Sequence, residues 1–139
     1  MMTATESKLK ILVVDDDRDG AYALAMVLRM LGHDAAIAYD GPSAIRIATD
    51  LMPNLILLDI GMPEMDGLDV CRAIRQTSDG QSMMIVAQTG WGQEADVIRT
   101  VDAGFDAHLV KPVNRGHLKE ILNAAFLKAR RGLVSMDAT

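Results

Sequence analysis

The stretch LILLDIGMPEMDG (residues 55–67) runs four apolar residues straight into an aspartate, Asp59, and then breaks into a loop that closes on Asp66–Gly67. A short continuous apolar run is how a strand buried on both faces reads. Four further runs recur at roughly regular intervals: ILVV at 11–14, AAIA at 35–38, MMIVA at 83–87 and AHLV at 107–110. The AAIA and AHLV runs are the weakest and are expected nearer the sheet edges. Segments of helical period lie between the runs. Residues 19–31 place Tyr22, Ala23, Met26, Val27, Met30 and Leu31 on one broad apolar stripe, with Gly32 as the stop. Residues 42–51 open on Pro42 and repeat Ala44, Ile45, Ala48 and Leu51. Helices are likewise expected over 66–76, 93–103 and 114–129, the last ending on basic residues that suit a helix C-terminus. Five strands alternating with five helices imply an α/β domain, a parallel sheet covered on both faces.

Composition narrows the class. The chain has 139 residues, the size of one domain, and is 50% apolar, enough for a real core. Its net charge of −5 argues against a nucleic-acid surface, which needs basic residues to neutralise phosphates. The single cysteine, Cys71, rules out an internal disulfide and reads as a buried small hydrophobe on a helix; cysteine usage fits a reducing cytoplasm. No apolar run approaches the roughly 20 residues that cross a bilayer, and the polar start MMTATESKLK is no signal peptide. A cytoplasmic protein with no membrane partner is expected, with tails at 1–7 and 132–139.

In open parallel sheets, ligands bind beyond the carboxyl ends of the strands. Asp15, Asp16 and Asp17 follow the first run, Asp59 the third, Gln88, Thr89 and Gly90 the fourth, and Lys111 and Pro112 the fifth. Clustered carboxylates repel unless a cation joins them. An all-oxygen set suits a hard ion, Mg²⁺ above all. A lysine adds a point charge for a phosphate and a threonine adds a hydroxyl donor. Such a set fits phosphoryl transfer, and a carboxylate nucleophile would yield an acyl phosphate. Val14 ends the apolar run, so Asp15 and Asp16 sit nearest the strand end, leaving Asp17 or Asp19 to cap the next helix.

The motifs ILVVDDD (11–17), LLDIGMPEMDG (57–67), QTG (88–90) and LVKP (109–112) together resemble the receiver domain of two-component response regulators, in the single-domain, CheY-like form, over residues 8–128. The resemblance implies a flavodoxin-like three-layer sandwich with strand order 2-1-3-4-5. It implies that a histidine kinase or histidine phosphotransfer protein passes a phosphoryl group to Asp59. It assigns Mg²⁺, with Mn²⁺ as an alternative, to Asp15, Asp16, Asp59 and the backbone carbonyl of Gly61. Thr89 would move toward the phosphoryl group, Lys111 would pair with it, and the Lys111–Pro112 bond would be cis. Catalysis would be limited to the chain's own phosphorylation and dephosphorylation. The output would pass by a conformational switch, around the fourth helix, fifth strand and fifth helix, to a partner protein that the sequence does not name. The chain would act as a monomer or weak dimer, stand-alone or excised from a hybrid kinase, since it leaves no room for a DNA-binding output domain.

Two departures carry expectations of their own. The family commonly has Tyr or Phe at the switch position that is His108 here. Imidazole ionises near neutral pH, so a weaker or pH-sensitive switch is expected. Gly61 and Gly90 bring no side chains beside the acceptor, which predicts a labile acyl phosphate. Trp91 follows the Thr89 loop as a partner contact or a packing residue. One rival is a haloacid-dehalogenase-like phosphatase, whose nucleophile follows the first strand; Asp15-x-Asp17 is present, but Asp19 departs from its pattern. Another is a flavin-binding module, which the acidic first loop disfavours.

Overall fold

The computed structural model describes residues 8–90 and 97–137, with side chains for 8–90 and 100–131. Trp91 and the expected helical residues 93–96 lie outside the described residues. Five strands, β1 (Lys10–Val14), β2 (Asp34–Ala38), β3 (Leu55–Asp59), β4 (Met84–Thr89) and β5 (Ala107–Val110), pair in parallel in the order β2-β1-β3-β4-β5. The two weakest runs are indeed the edge strands. The helices are α1 (Arg18–Met30), α2 (Gly41–Leu51), α3 (Gly67–Arg75), α4 (Val97–Ala103) and α5 (Arg115–Asp137), with a short 3₁₀ turn at Gly80–Ser82.

Strand alternation sends side chains to two separate cores. Ile11, Val13, Leu55, Leu57, Met84, Val86 and Leu109 pack under α1 and α5, against Leu28, Leu118 and Leu122. Leu12, Val14, Ile56, Leu58, Ile85 and Ala87 face the other way, toward Ala44, Val70, Cys71 and Phe105. Because β1 and β3 are covered on both sides, their sequences run apolar without alternation. Cys71 is fully buried as expected, and burial pushes its thiol up to about 11.

Local chemistry sets the helix ends. The Asp40 carboxylate accepts from Ser43 N–H at 2.8 Å and Asp66 from Asp69 N–H at 3.0 Å, each the start of a helix. Gly32, at φ +97°, closes α1 in a Schellman arrangement: its N–H reaches Arg29 O at 3.0 Å and His33 N–H reaches Leu28 O at 3.1 Å.

Two expectations are corrected. The α1 stripe is not the buried face. Ala21, Ala25 and Leu28 are buried, whereas Tyr22, Met26, Met30 and Leu31 are exposed at 57%, 38%, 78% and 56%. Ala21 and Ala25 let α1 lie close to the sheet, Leu28 and Val27 pack into the core, and Tyr22, Met26, Met30 and Leu31 form a second apolar face turned outward. In addition, α5 continues through Gly132 to Asp137, past the expected end at Ala129 and into the expected tail. One glycine in a helix interior costs only about 1 kcal/mol relative to alanine, and no proline follows.

The base of the sheet is tied by one side chain that the sequence reading overlooked. The Arg75 guanidinium, at the end of α3, donates to Gly104 O at 2.9 Å, Gly80 O at 2.6 Å and Met83 O at 2.7 Å, and pairs with Asp106 at 2.8 Å. Asp106 also accepts from Ile85 N–H at 2.9 Å, and Lys128 of α5 donates to Met83 O at 3.2 Å. Arg75 is only 12% exposed along its side chain. Replacing it strips partners from several shielded carbonyls at once. Arg75→Met is expected to lower unfolding free energy by about 3 kcal/mol, read from the urea midpoint. An unchanged midpoint would show that solvent replaces these bonds.

Candidate functional site

Register explains why distant acids meet. Val14 pairs with Leu58 across β1 and β3, so the residues that follow, Asp15 and Asp59, leave the sheet side by side. Both have the parity of the core under α1 and α5, as does Lys111, which continues the row of Leu109 on β5. Asp15 and Asp59 are buried at 4% and 9% exposure, and Asp16 is exposed. Carboxylate oxygens of Asp15, Asp16 and Asp59 lie within 4.8 Å of one another.

Each acid is held in place. Asp15 Oδ1 accepts from Asp17 N–H at 3.0 Å, and Asp15 Oδ2 accepts from Lys111 Nζ at 2.7 Å. Asp59 Oδ1 accepts from Gly61 N–H at 2.9 Å, and Asp59 Oδ2 stands 3.4 Å from Lys111 Nζ. The start of α3 presses against the acceptor strand: a β-carbon on Gly67 would meet the Asp59 carbonyl oxygen at 2.5 Å. Asp17 occupies the cap position of α1, as one of the two expected residues, but its carboxylate makes no capping bond. The Lys111–Pro112 bond is cis, in agreement with the resemblance.

Thr89 and His108 sit on the opposite face of the sheet from Lys111. Thr89 is buried at 2% exposure and its hydroxyl donates to Leu109 O at 3.4 Å. Ala87 pairs with His108 and Thr89 with Val110, which sets Thr89 diagonally across from the half-buried His108. Gly61 is exposed beside Asp59. The structure therefore brings together Asp15, Asp16, Asp59, Gly61 and Lys111, with Thr89 at the neighbouring strand end.

The charges do not balance. Burial raises the Asp59 carboxyl above its ordinary 3.8; the Gly61 amide and Lys111 pull it down, and Asp15 pushes it up again. Burial alone would lower the Lys111 ammonium, but its bond to Asp15 and the Asp59 charge outweigh this and raise it. Three carboxylates against one ammonium leave negative charge in a shielded place, and their oxygen-only donor set fits a hard divalent cation.

Sequence reasoning named Gln88 after the fourth run and in the QTG motif but gave it no role. It is buried, at 2% exposure, and it lies on β4 in register with Asp59. The available signal was parity: after Met84 and Val86, position 88 faces the core under α1 and α5, where an apolar residue belongs.

A raised acid is a destabilising acid. Between pH 3.8 and the higher folded value, the native state holds a proton that the unfolded state has released, so stability falls as pH rises through that window. Asp59→Asn is therefore expected to raise the melting temperature at pH 7 in chelator. That gain should shrink as pH drops below the folded value and vanish below 3.8, where Asp59 is protonated in both states. A pH-independent gain, or a loss, would contradict this origin.

Three comparisons agree with this geometry. The model of the response regulator receiver domain matches residues 11–123. The DNA-binding response regulators MtrA of Mycolicibacterium paratuberculosis and of Mycobacterium tuberculosis are each 41% identical over 103 residues, 74% of this chain and 44% of theirs. The chain thus spans less than half the length of these curated relatives. The receiver domain of the sensor histidine kinase PA1611 from Pseudomonas aeruginosa, solved with a magnesium ion coordinated in its active site cleft, superposes with a TM-score of 0.78 at 30% identity, over 86% of this chain and 98% of that one. The signal receiver domain of a signal transduction histidine kinase from Syntrophus aciditrophicus superposes with a TM-score of 0.80 at 28% identity, over 88% and 93%. Among the described residues no helix is long and apolar enough to cross a membrane. A flavodoxin-like sheet, an acid cluster beyond its carboxyl edge and a family match over most of the length converge: the chain belongs to the response regulator receiver domains, the phosphoacceptor modules of two-component signalling.

Proposed function

We propose that Asp59 takes a phosphoryl group from a phosphohistidine on a histidine kinase or phosphotransfer protein, and that the resulting acyl phosphate switches a protein-binding face. The observation that supports this most directly is Lys111 Nζ lying between Asp15 Oδ2, at 2.7 Å, and Asp59 Oδ2, at 3.4 Å. An Asp59 oxygen attacks phosphorus, the P–N bond to the donor imidazole breaks, and its electron pair returns to the imidazole. The Gly61 N–H holds the other Asp59 oxygen and so orients the nucleophile. Lys111 meets the charge that arrives on phosphorus. Mg²⁺ (or Mn²⁺, which accepts the same donors), held by Asp15, Asp16, Asp59 and the Gly61 carbonyl, neutralises phosphoryl oxygens when bound. The chain catalyses only its own phosphorylation and hydrolysis.

Thr89 lies one strand from the acceptor and shares a sheet face with His108, so a hydroxyl drawn toward phosphorus leaves space on the His108 side. Val101 of α4 and Val110 of β5 are 70% and 44% exposed there, an apolar surface for the target protein. The phosphodonor is assigned to a different face. Tyr22, Met26 and Met30 follow one another at helical spacing on α1, beside the cleft that leads from Ala23 and Val27 to Asp15 and Lys111.

Incubation of the protein with acetyl phosphate and Mg²⁺, followed by intact-mass measurement, should show one phosphoryl adduct. EDTA or Asp59→Asn should abolish it; an adduct on Asp15 would favour the haloacid-dehalogenase chemistry, and no adduct from small donor or kinase would sink the proposal. Met30→Glu should slow transfer from a phosphohistidine donor more than about tenfold, the scale of a central interface residue. It should leave uptake from acetyl phosphate unchanged, and equal slowing of both would disqualify α1 as the docking face.

A further inference from the structure

The imidazole of His33 stands between the start of the first strand and the turn that follows α1. Its Nδ1 accepts from the Leu9 N–H at 3.1 Å. A ring nitrogen accepts only when it carries no proton, so this bond requires the neutral imidazole with its proton on Nε2. The turn holds the ring in place: His33 N–H reaches Leu28 O at 3.1 Å, and Asp34 N–H reaches Leu9 O at 2.9 Å. Leu9 is therefore joined to the turn twice, once by a backbone bond and once by a side chain that can ionise.

Acid acts on these two bonds differently. The backbone bond has no group that titrates. The bond to the ring is lost when Nδ1 takes a proton, because two donors then face each other. Leu9 is 2% exposed and its side chain lies in the core under α1 and α5, so its N–H has no bulk water to turn to. A shielded donor without an acceptor destabilises the arrangement that strands it.

The charged side chains on the segments that meet at the ring are Lys8 and Lys10 at the start of β1, Arg29 in the last turn of α1 and Asp34 at the start of β2. The one acid among them is engaged elsewhere: Asp34 Oδ1 pairs with Lys8 Nζ at 3.2 Å. Arg29 Nη2 donates to Ala35 O at 2.7 Å. No carboxylate is thus left over to favour an imidazolium, and burial holds the His33 imidazole below its ordinary 6.5.

We propose that His33 is an acid-sensitive fastener of the first strand: its neutral imidazole ties the Leu9 amide to the end of α1, and protonation releases that tie while the rest of the sheet stays paired. The sign follows from the direction of the shift. The fastener contributes its full stability above pH 6.5, and that stability is lost as pH falls from there through the lower folded value. It stands apart from the phosphoacceptor reading, since it lies at the amino end of β1 and Asp15 follows the other end.

The test uses the full chain without ligand. In ¹⁵N-labelled protein the neutral His33 ring should show an unprotonated Nδ1, and its titration midpoint should lie below 6.5. Amide hydrogen exchange, corrected for the intrinsic rate at each pH, is read at Leu9 relative to Val13 of the same strand. The Leu9 protection factor should be roughly tenfold lower at about pH 5 than at about pH 8, the scale of one shielded donor left without an acceptor. His33→Asn places a carbonyl oxygen that does not titrate near the position of Nδ1, and should keep the Leu9 protection at the lower pH. His33→Phe removes the acceptor and should give the low value at both. His108 and His117 are present in both variants, so their titration cancels in the comparison. A neutral ring with its proton on Nδ1, a midpoint at or above 6.5, or equal Leu9 protection at the two pH values in the wild-type chain would overturn the proposal. So would a pH-dependent loss at Leu9 that persists in both variants, since it would belong to other groups.

Discussion

Three carboxylates and one ammonium share a few ångströms at the carboxyl edge of the sheet, and their incomplete neutralisation is the constraint around which the structure is arranged. Adjacent strands in a sheet are about 4.8 Å apart. That spacing brings Asp15 and Asp59 into repulsive contact because β1 and β3 are neighbours. Lys111 comes from β5, on the far side of β4, so only a long, flexible side chain reaches both acids. It satisfies part of the charge and leaves the rest for a cation or a phosphoryl group. A fully neutralised cluster would have no affinity to spare for either.

Much of this was legible in the sequence because the signals were local and agreed with one another. Continuous apolar runs marked the central strands, the acids and the lysine stood directly after them, and Asp66 and Gly32 marked helix ends that the structure confirms by hydrogen bond or by φ. The α1 face was misread for a physical reason. Periodicity locates an apolar stripe but not which stripe is buried when a helix carries two, and here the alanines, not the methionines, meet the sheet. Arg75 escaped notice because its partners, Gly80, Met83, Gly104 and Asp106, are brought to it only by the tertiary fold. The end of α5 escaped because a single glycine is a weak stop.

Strand β4 divides the site's labour between its two faces. Gln88 points with Asp15, Asp59 and Lys111 toward α1, where a phosphodonor would approach. Thr89, the next residue, points toward α4 with His108 and Val110. Under the proposed function, a single peptide unit would thus separate the side that receives the phosphoryl group from the side that reports it. No long chain of intermediates is required for coupling when adjacent residues of one strand face the two surfaces.

The opposite end of the sheet shows why such a site can be tolerated. Arg75, Asp106 and Lys128 cross-link α3, the start of β4, the turn before β5 and α5 by several charge-assisted bonds. The carboxyl edge has the reverse character: a raised acid, a lysine bonded to the nearer of two carboxylates, and a buried amide with no acceptor among the described residues. Local stability is not uniform in proteins, and elements that must move are drawn from its low end. Tying the base lets the upper edge keep groups whose hydrogen bonds are incomplete, and those incomplete bonds are what a phosphoryl group can complete. Under the proposed function, a conformational response at this site would follow from where the satisfied and unsatisfied polar groups are placed along the same strands, rather than from any softness of the core between them.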